Sequence, residues 1–279
     1  MPSLGPLAGV LGALSFGAGD FAGAYAARRA GALVVVAGAH GVGLIALLGG
    51  VAIVRPPLPE PEAIAIGLAA GVAGVAGLGA LYRGMTLGSM GLVTSLAGAG
   101  SLALPLIAGA VLGARVAPLQ LVGIACAALA AAAAGGASRD EVGRRSLLLA
   151  LAAAVSFGAW YVLLDFAARE GDPLWALVFS RSGSTLIAAA IVAARGQWDR
   201  ASVPIGIVVA AGLFDVGGNA LYVVARESIH LGLAAALVGL YPIVTMILAR
   251  LIIGERLPRL GQLGVALALL GIVLVSAGG

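Results

Sequence analysis

Six ionisable side chains fall inside long apolar stretches of this chain: Asp20, His40, Asp165, Arg181, Asp215 and Arg250. Placing such a group at the centre of a bilayer costs about 2.5–3.5 kcal/mol on insertion scales, so each needs a partner or a purpose. The sharpest pattern is Asp215, Asn219 and Tyr222, at i, i+4 and i+7 on one helix face. A polar stripe of that kind faces a neighbouring helix or water. It reads as a substrate or proton site, and its plainer alternative is hydrogen bonding that holds helices together. Phe157, Tyr161 and Asp165 follow one another at i, i+4 and i+8, with Trp160 alongside. Aromatic faces beside a carboxylate can cup an organic amine, or they can simply pack.

His40 and Arg181 stand 141 positions apart, each in the middle third of an apolar stretch. An arginine at that depth needs an acceptor, and the candidates are Asp20, Asp215 or a substrate carboxylate. His40 can instead be satisfied by a backbone carbonyl. Ser184 and Thr185 continue the face of Arg181, and Asp20 shares a face with Phe16, four residues earlier. Arg250 lies near the end of its stretch and can snorkel to the interface. Trp175 and Trp198 bracket another stretch and would stand roughly 35 Å apart along a helix, which suits interfacial anchors. Pro105 and Pro242 interrupt corresponding stretches, where each removes a backbone hydrogen bond and could act as a gate or hinge.

Several chemistries are excluded by what is missing. The chain has 16 basic residues and all are arginine, so neither a P-loop lysine nor a Schiff-base lysine exists. The histidines are His40 and His230, the lone cysteine is Cys126, and no H-E-x-x-H occurs, which argues against a zinc site, a resident cofactor or an internal disulfide. Gly17-Ala18-Gly19-Asp20 fits the G-x-G-D string of intramembrane aspartyl proteases. Those enzymes need a second aspartate, in a Tyr-Asp pair, to share a proton; no Tyr-Asp dipeptide occurs here. The protease is therefore a remote alternative, and a non-enzyme is expected.

The elements that must carry these residues are membrane helices. The 279 residues are 61% hydrophobic and only 10% charged, well below the roughly one-quarter charged content of a soluble domain. A bilayer core needs about 20 apolar residues per helix, and runs of that length recur. Ten spans are predicted, near 3–26, 32–54, 63–82, 88–112, 117–135, 146–168, 174–194, 202–224, 231–253 and 260–277. The runs are continuous rather than alternating, which fits helices better than a β-barrel. Forty-four glycines let such helices approach closely. The first span has no basic residue before it, unlike a cleaved signal peptide. The basic balance suits headgroups, with no nucleic-acid partner implied. Ten arginines lie in loops after odd-numbered spans and four in loops after even-numbered ones, which places both termini outside the cytoplasm.

The chain also repeats itself. Ser15-Phe16-Gly17 recurs as Ser156-Phe157-Gly158, and Gly113, Arg115, Leu119 and Gly123 recur as Gly254, Arg256, Leu260 and Gly264, all shifted by 141. Five spans per copy turn the second copy over relative to the first, the inverted-repeat plan of many secondary transporters. The expected organisation is a first repeat over 1–136, a connecting loop over 137–145 and a second repeat over 146–279.

Tyr241-Pro242-Ile243-Val244, Gly254-Glu255-Arg256-Leu257 and Gly261-Gln262-Leu263-Gly264 together resemble the end of an EamA-type domain of the drug/metabolite transporter superfamily. Ala220-Leu221-Tyr222 and its copy Ala80-Leu81-Tyr82 resemble that family's third-helix motif, and the Ser-Phe-Gly pairs fall where its domains begin. The first copy departs from the pattern: it reads Gly113-Ala114-Arg115, without the glutamate that stands at Glu255, a residue expected to cap or pack a loop. The resemblance implies ten transmembrane helices around a central cavity, lined by the first, third, fourth, sixth, eighth and ninth spans, with the fifth and tenth outside. It also implies cytoplasmic termini, opposite to the arginine count.

Together these readings predict an all-α integral membrane protein, multi-pass in a bacterial-type inner (cell) membrane, as a monomer or homodimer. The expected activity is secondary transport, outward, of small polar metabolites such as amino acids, with protons as a candidate coupling ion. Substrate contacts are expected from Phe16, Asp20, His40, Tyr82, Trp160, Tyr161, Arg181, Asp215, Asn219, Tyr222 and Tyr241. The other class of function is a non-transporting membrane scaffold whose polar stripes only join helices.

Overall fold

A computed structural model describes residues 4–113, 115–137, 140–197, 203–229 and 231–278, and the described residues are helical with short connections and no strand. Ten units are long and apolar enough to cross a membrane. Eight are single helices: α1 Leu4–Ala30, α2 Ala32–Val54, α3 Pro61–Leu87, α6 Pro118–Ala137, α7 Glu141–Arg169, α8 Pro173–Ala194, α9 Ile205–Ser228 and α12 Arg259–Ala277. The fourth and ninth units are each broken in two. α4 Met90–Ser101 gives way to α5 Ala103–Val111, and α10 Leu231–Gly239 gives way to α11 Tyr241–Ile253. Each break falls two or three residues before the expected proline, at Leu102 ahead of Pro105 and at Leu240 ahead of Pro242. Proline has no N–H to donate and its ring crowds the preceding turn, so the helix yields on that side.

Local signals mark where these helices start. Pro61 and Pro173 open α3 and α8, where a missing N–H costs nothing. The Asp140 and Asp172 carboxylates accept from the backbone N–H of Gly143 and Leu174 at 2.9 and 2.8 Å, satisfying donors that the first turn leaves free. Several helices run past their predicted limits. α3 extends to Leu87 and α7 begins at Glu141, because capped polar turns continue beyond the apolar run. Trp198 and His230 lie outside the described residues, as do Ala114 and part of the connecting loop.

The bundle packs by pairing helices across the two halves. α1 runs along α9, α3 along α7, α2 against α8 and α6 against α12. Glycines set the closest approaches. A Cβ on Gly218 of α9 would stand 2.7 Å from the Phe16 ring of α1, and a Cβ on Gly77 of α3 would stand 2.7 Å from the Phe157 ring of α7. Both members of the second contact stand 141 positions from those of the first. Hydroxyls add cross-links to backbone carbonyls. Ser15 donates to Phe214 at 2.6 Å, Thr245 to Gly17 at 3.0 Å and Ser146 to Gly84 at 3.0 Å. In lipid, where helices gain nothing from leaving water, small-residue packing of this kind and such hydrogen bonds supply the cohesion.

Candidate functional site

The interior polar residues form one chain of hydrogen bonds across α9, α8 and α2. The Arg181 guanidinium donates to Asp215 Oδ2 at 2.5 Å with one terminal nitrogen, and its other terminal nitrogen meets His40 Nε2 at 2.6 Å. Because a guanidinium can only donate, His40 Nε2 must accept. The ring proton therefore sits on Nδ1, which donates to Ser184 Oγ at 2.6 Å. Ser184 in turn donates to the Arg181 carbonyl at 3.2 Å. His40 is thus a neutral imidazole with both nitrogens satisfied. Arg181, whose side chain is 7% exposed, has its charge matched by Asp215.

That geometry selects among the sequence alternatives. Arg181 takes a protein carboxylate, Asp215, rather than standing free for a substrate anion. His40 bonds to two side chains rather than to a backbone carbonyl. Thr185, one turn on from Arg181, has a buried hydroxyl that finds no partner among the described residues. The Asp215 stripe divides: Asn219 turns its amide back to the Asp215 carbonyl of its own helix at 2.8 Å, while Tyr222, one turn further on, is half-buried.

Among the described residues Asp20 is not hydrogen-bonded to this network, though its carboxylate lies within electrostatic reach of Asp215. Asp20 Oδ2 accepts from Thr94 of α4 at 3.3 Å, and it forms no ion pair with any described cation. Around it stand aromatic side chains from four helices. Phe16 meets Tyr241 edge-on with ring centroids 6.3 Å apart, and Tyr82, Tyr161 and Tyr241 all lie within electrostatic reach of the Asp20 carboxylate. Tyr82 is 2% exposed and fills the space that Gly23 leaves on α1. Trp160 donates its indole N–H to Ser180 Oγ at 2.8 Å and meets Tyr161 edge-on at 5.1 Å; Tyr161 itself is 45% exposed. Asp215 bonds to Arg181 and Asp20 to Thr94, and among the described residues no hydrogen bond joins the two aspartates.

Other candidates belong to the periphery. Asp165 is exposed and paired with Arg169 one turn on at 2.7 Å, so it offers no carboxylate to Trp160 and Tyr161. A pair of that kind in solvent is worth little. Arg250 is exposed and reaches the Glu255 carbonyl at 3.4 Å. Trp175 donates to the Pro56 carbonyl at 3.3 Å and stacks on Phe179, tying α8 to the loop before α3. Glu255, expected to cap or pack a loop, caps a helix in the other half. Among the described residues no cluster of histidine, cysteine, aspartate and glutamate could hold a metal ion.

Two hollows lie away from these charges. One, of about 170 Å³, opens between the start of α4, the start of α7 and the loop after α11, and is lined by Ser89, Leu92, Leu96, Ser146, Leu257 and Pro258 among others. The second, of about 440 Å³, is an apolar groove between α1, α9 and α11. Neither is lined by Asp20, Arg181 or Asp215.

Residues 144–277 match the EamA-like transporter family, a segment that takes in nearly all of α7 and all of α8 to α12. The ten apolar helices are consistent with an EamA-type transporter. Among solved structures, one titled "Crystal structure of protein" superposes with a TM-score of 0.62 at 16% sequence identity, covering 99% of this chain and 98% of its own, a likeness of fold. No curated protein sequence matches the chain.

Proposed function

We propose that this chain, whose second half matches the EamA-like transporter family, is a secondary transporter that moves small polar metabolites such as amino acids outward across a cell membrane. Alternating access would arise from two inverted five-helix halves, 1–136 and 146–279, moving about the breaks at Pro105 and Pro242. The reciprocal Phe16–Gly218 and Phe157–Gly77 contacts support a two-fold relation between them. The observation that carries the reading is the Asp20 carboxylate, at membrane depth and without a paired cation among the described residues. A group so costly to bury is a ligand or proton site by default. Asp20 would receive an amine or a coupling proton, with Phe16, Tyr82, Trp160, Tyr161, Tyr222 and Tyr241 as walls. Asp215, Arg181, His40 and Asn219 would form a polar floor, and Arg181 would meet a substrate carboxylate only by sharing Asp215.

The test is counterflow of labelled amino acids in proteoliposomes. Asp20→Asn is expected to abolish exchange while the purified protein stays monodisperse. Exchange at the parental rate would remove Asp20 as the partner of the substrate amine, and loss of proton-driven uptake with exchange retained would assign it the coupling proton.

A second reading, a non-transporting scaffold, is favoured by the Asp215–Arg181–His40–Ser184 chain, in which every partner is satisfied within the protein. Thermal stability against a panel of amino acids, nucleosides and amphipathic cations separates the two, because a ligand that binds the native state raises apparent stability. A transporter shifts with at least one class. A scaffold shifts with none.

A further inference from the structure

The junction between α3 and α4 is held by a side chain from the other half of the chain. Glu255 follows Gly254, whose φ of 70° turns the chain sharply off the end of α11. The Glu255 backbone N–H bonds back to Ala249 at 3.1 Å, which fixes the reversal. Its carboxylate then reaches the first turn of α4. Oε1 accepts from Ser89 Oγ at 2.6 Å and from the Gly91 N–H at 3.2 Å, and Oε2 accepts from the Met90 N–H at 3.0 Å. Ser89 Oγ also accepts from the Leu92 N–H at 3.1 Å. Three orphan N–H groups of α4 are thereby satisfied, two of them by an anion at the positive end of the helix dipole.

The location matters more than the count. Ser89, Glu255 and Asp140 all lie in connections after odd-numbered spans, so this is the arginine-rich face of the bundle. The 170 Å³ hollow opens at the same place, between Ser89 and Pro258. One turn further along α4 is Thr94, which holds Asp20. The sequence does not repeat this pair. At the 141-residue offset, Glu255 corresponds to Ala114 and Ser89 to His230, so that copy has neither the carboxylate nor the hydroxyl.

We propose that Glu255 is a one-sided latch: it fastens the first turn of α4 to the end of α11 and keeps the arginine-rich end of the bundle closed. Release of the carboxylate frees α4 and α11 to part at that end. The opposite end, lacking the pair, opens without an equivalent cost.

The experiment reads accessibility and needs neither a substrate nor transport. Leu92→Cys, beside the latch, and Leu174→Cys, at the far end of the bundle, are each placed in a Cys126→Ala background in proteoliposomes. Labelling by a membrane-impermeant maleimide is timed with and without Glu255→Ala. Loss of a helix cap corresponds to roughly a 5- to 30-fold change in an equilibrium, so Leu92→Cys is expected to label that much faster while Leu174→Cys does not. Glu255→Gln keeps the volume but presents an amide donor to N–H donors, and it is expected to act in the same direction. If Glu255→Ala fails to fold, Glu255→Gln decides. Unchanged labelling at Leu92→Cys, or an equal rise at both positions, overturns the proposal.

Discussion

Removing Arg181 should cost far more than removing Arg181 and Asp215 together. The guanidinium side chain is 7% exposed and its carboxylate partner 28% exposed. Breaking a buried pair from one side is worth about 3–5 kcal/mol, because the remaining charge is stranded. Asp215 keeps some access to its surroundings, so the lower end, about 3 kcal/mol, is expected for Arg181→Met. His40 Nε2 loses its donor in the same variant, adding about 1 kcal/mol for an orphaned acceptor. Replacing both residues, as Arg181→Met with Asp215→Leu, leaves no stranded ion, and hydrophobic replacement of a whole pair is often neutral. The double variant should therefore recover most of the loss, leaving about 1 kcal/mol for the orphaned His40 acceptor, far less than the sum of the two single changes. Reversible unfolding in mixed micelles by titration with a denaturing detergent measures the four corners of the cycle. Additive effects, with the double variant as unstable as the sum of the singles, would refute the reasoning and mean that Arg181 is stabilised by something other than Asp215.

The close contacts at glycine give a matched pair of tests. Gly218→Ala and Gly77→Ala each push a Cβ into an aromatic ring at 2.7 Å, so each should lose about 1–3 kcal/mol of stability in the same micelle assay. A loss at one site only would break the reciprocity between Phe16 and Phe157. Pro242→Ala restores an N–H at the break before α11 and should slow amino-acid exchange without lowering stability; faster exchange would remove the break from the transport cycle.

The helices were legible because continuous apolar length is a strong signal, and the Ser-Phe-Gly and Gly-x-Arg echoes pointed to two copies. The ends were less legible. α3 and α7 run on because caps and polar turns extend a helix past its hydrophobic part, which hydropathy does not register. Within the site, residue types were readable but pairings were not. His40 and Arg181 are 141 positions apart in sequence and bonded at 2.6 Å in space. Only the packing of α2 on α8 decides that, and no local pattern encodes it. Asp165 shows the same limit in reverse. It shares a helical face with Phe157 and Tyr161, yet the Arg169 that follows one turn later takes it toward the exposed end. The interior ends of spans and their exposed ends carry the same residue letters.

The two functional classes differ in what they ask of charge. The interior chain has one guanidinium and one carboxylate that cancel, plus an imidazole whose hydrogen bonds require it to be neutral. A scaffold needs nothing more, and those three residues with Ser184 join α2, α8 and α9 as well as any polar glue. Asp20 is then superfluous, for it offers α4 only a single long bond to Thr94, at 3.3 Å, which an asparagine could make without a charge. A transporter needs the reverse: a fixed lattice that does not titrate or move, and one acidic group left over whose partner arrives from solution. The same economy explains the split along α9 and α1. Asp215 and Asn219 on α9 are consumed by internal partners, while Phe16 and Asp20 on α1 have the rings of Tyr241 and Tyr82 nearby, which stabilise a cation without neutralising a carboxylate in advance.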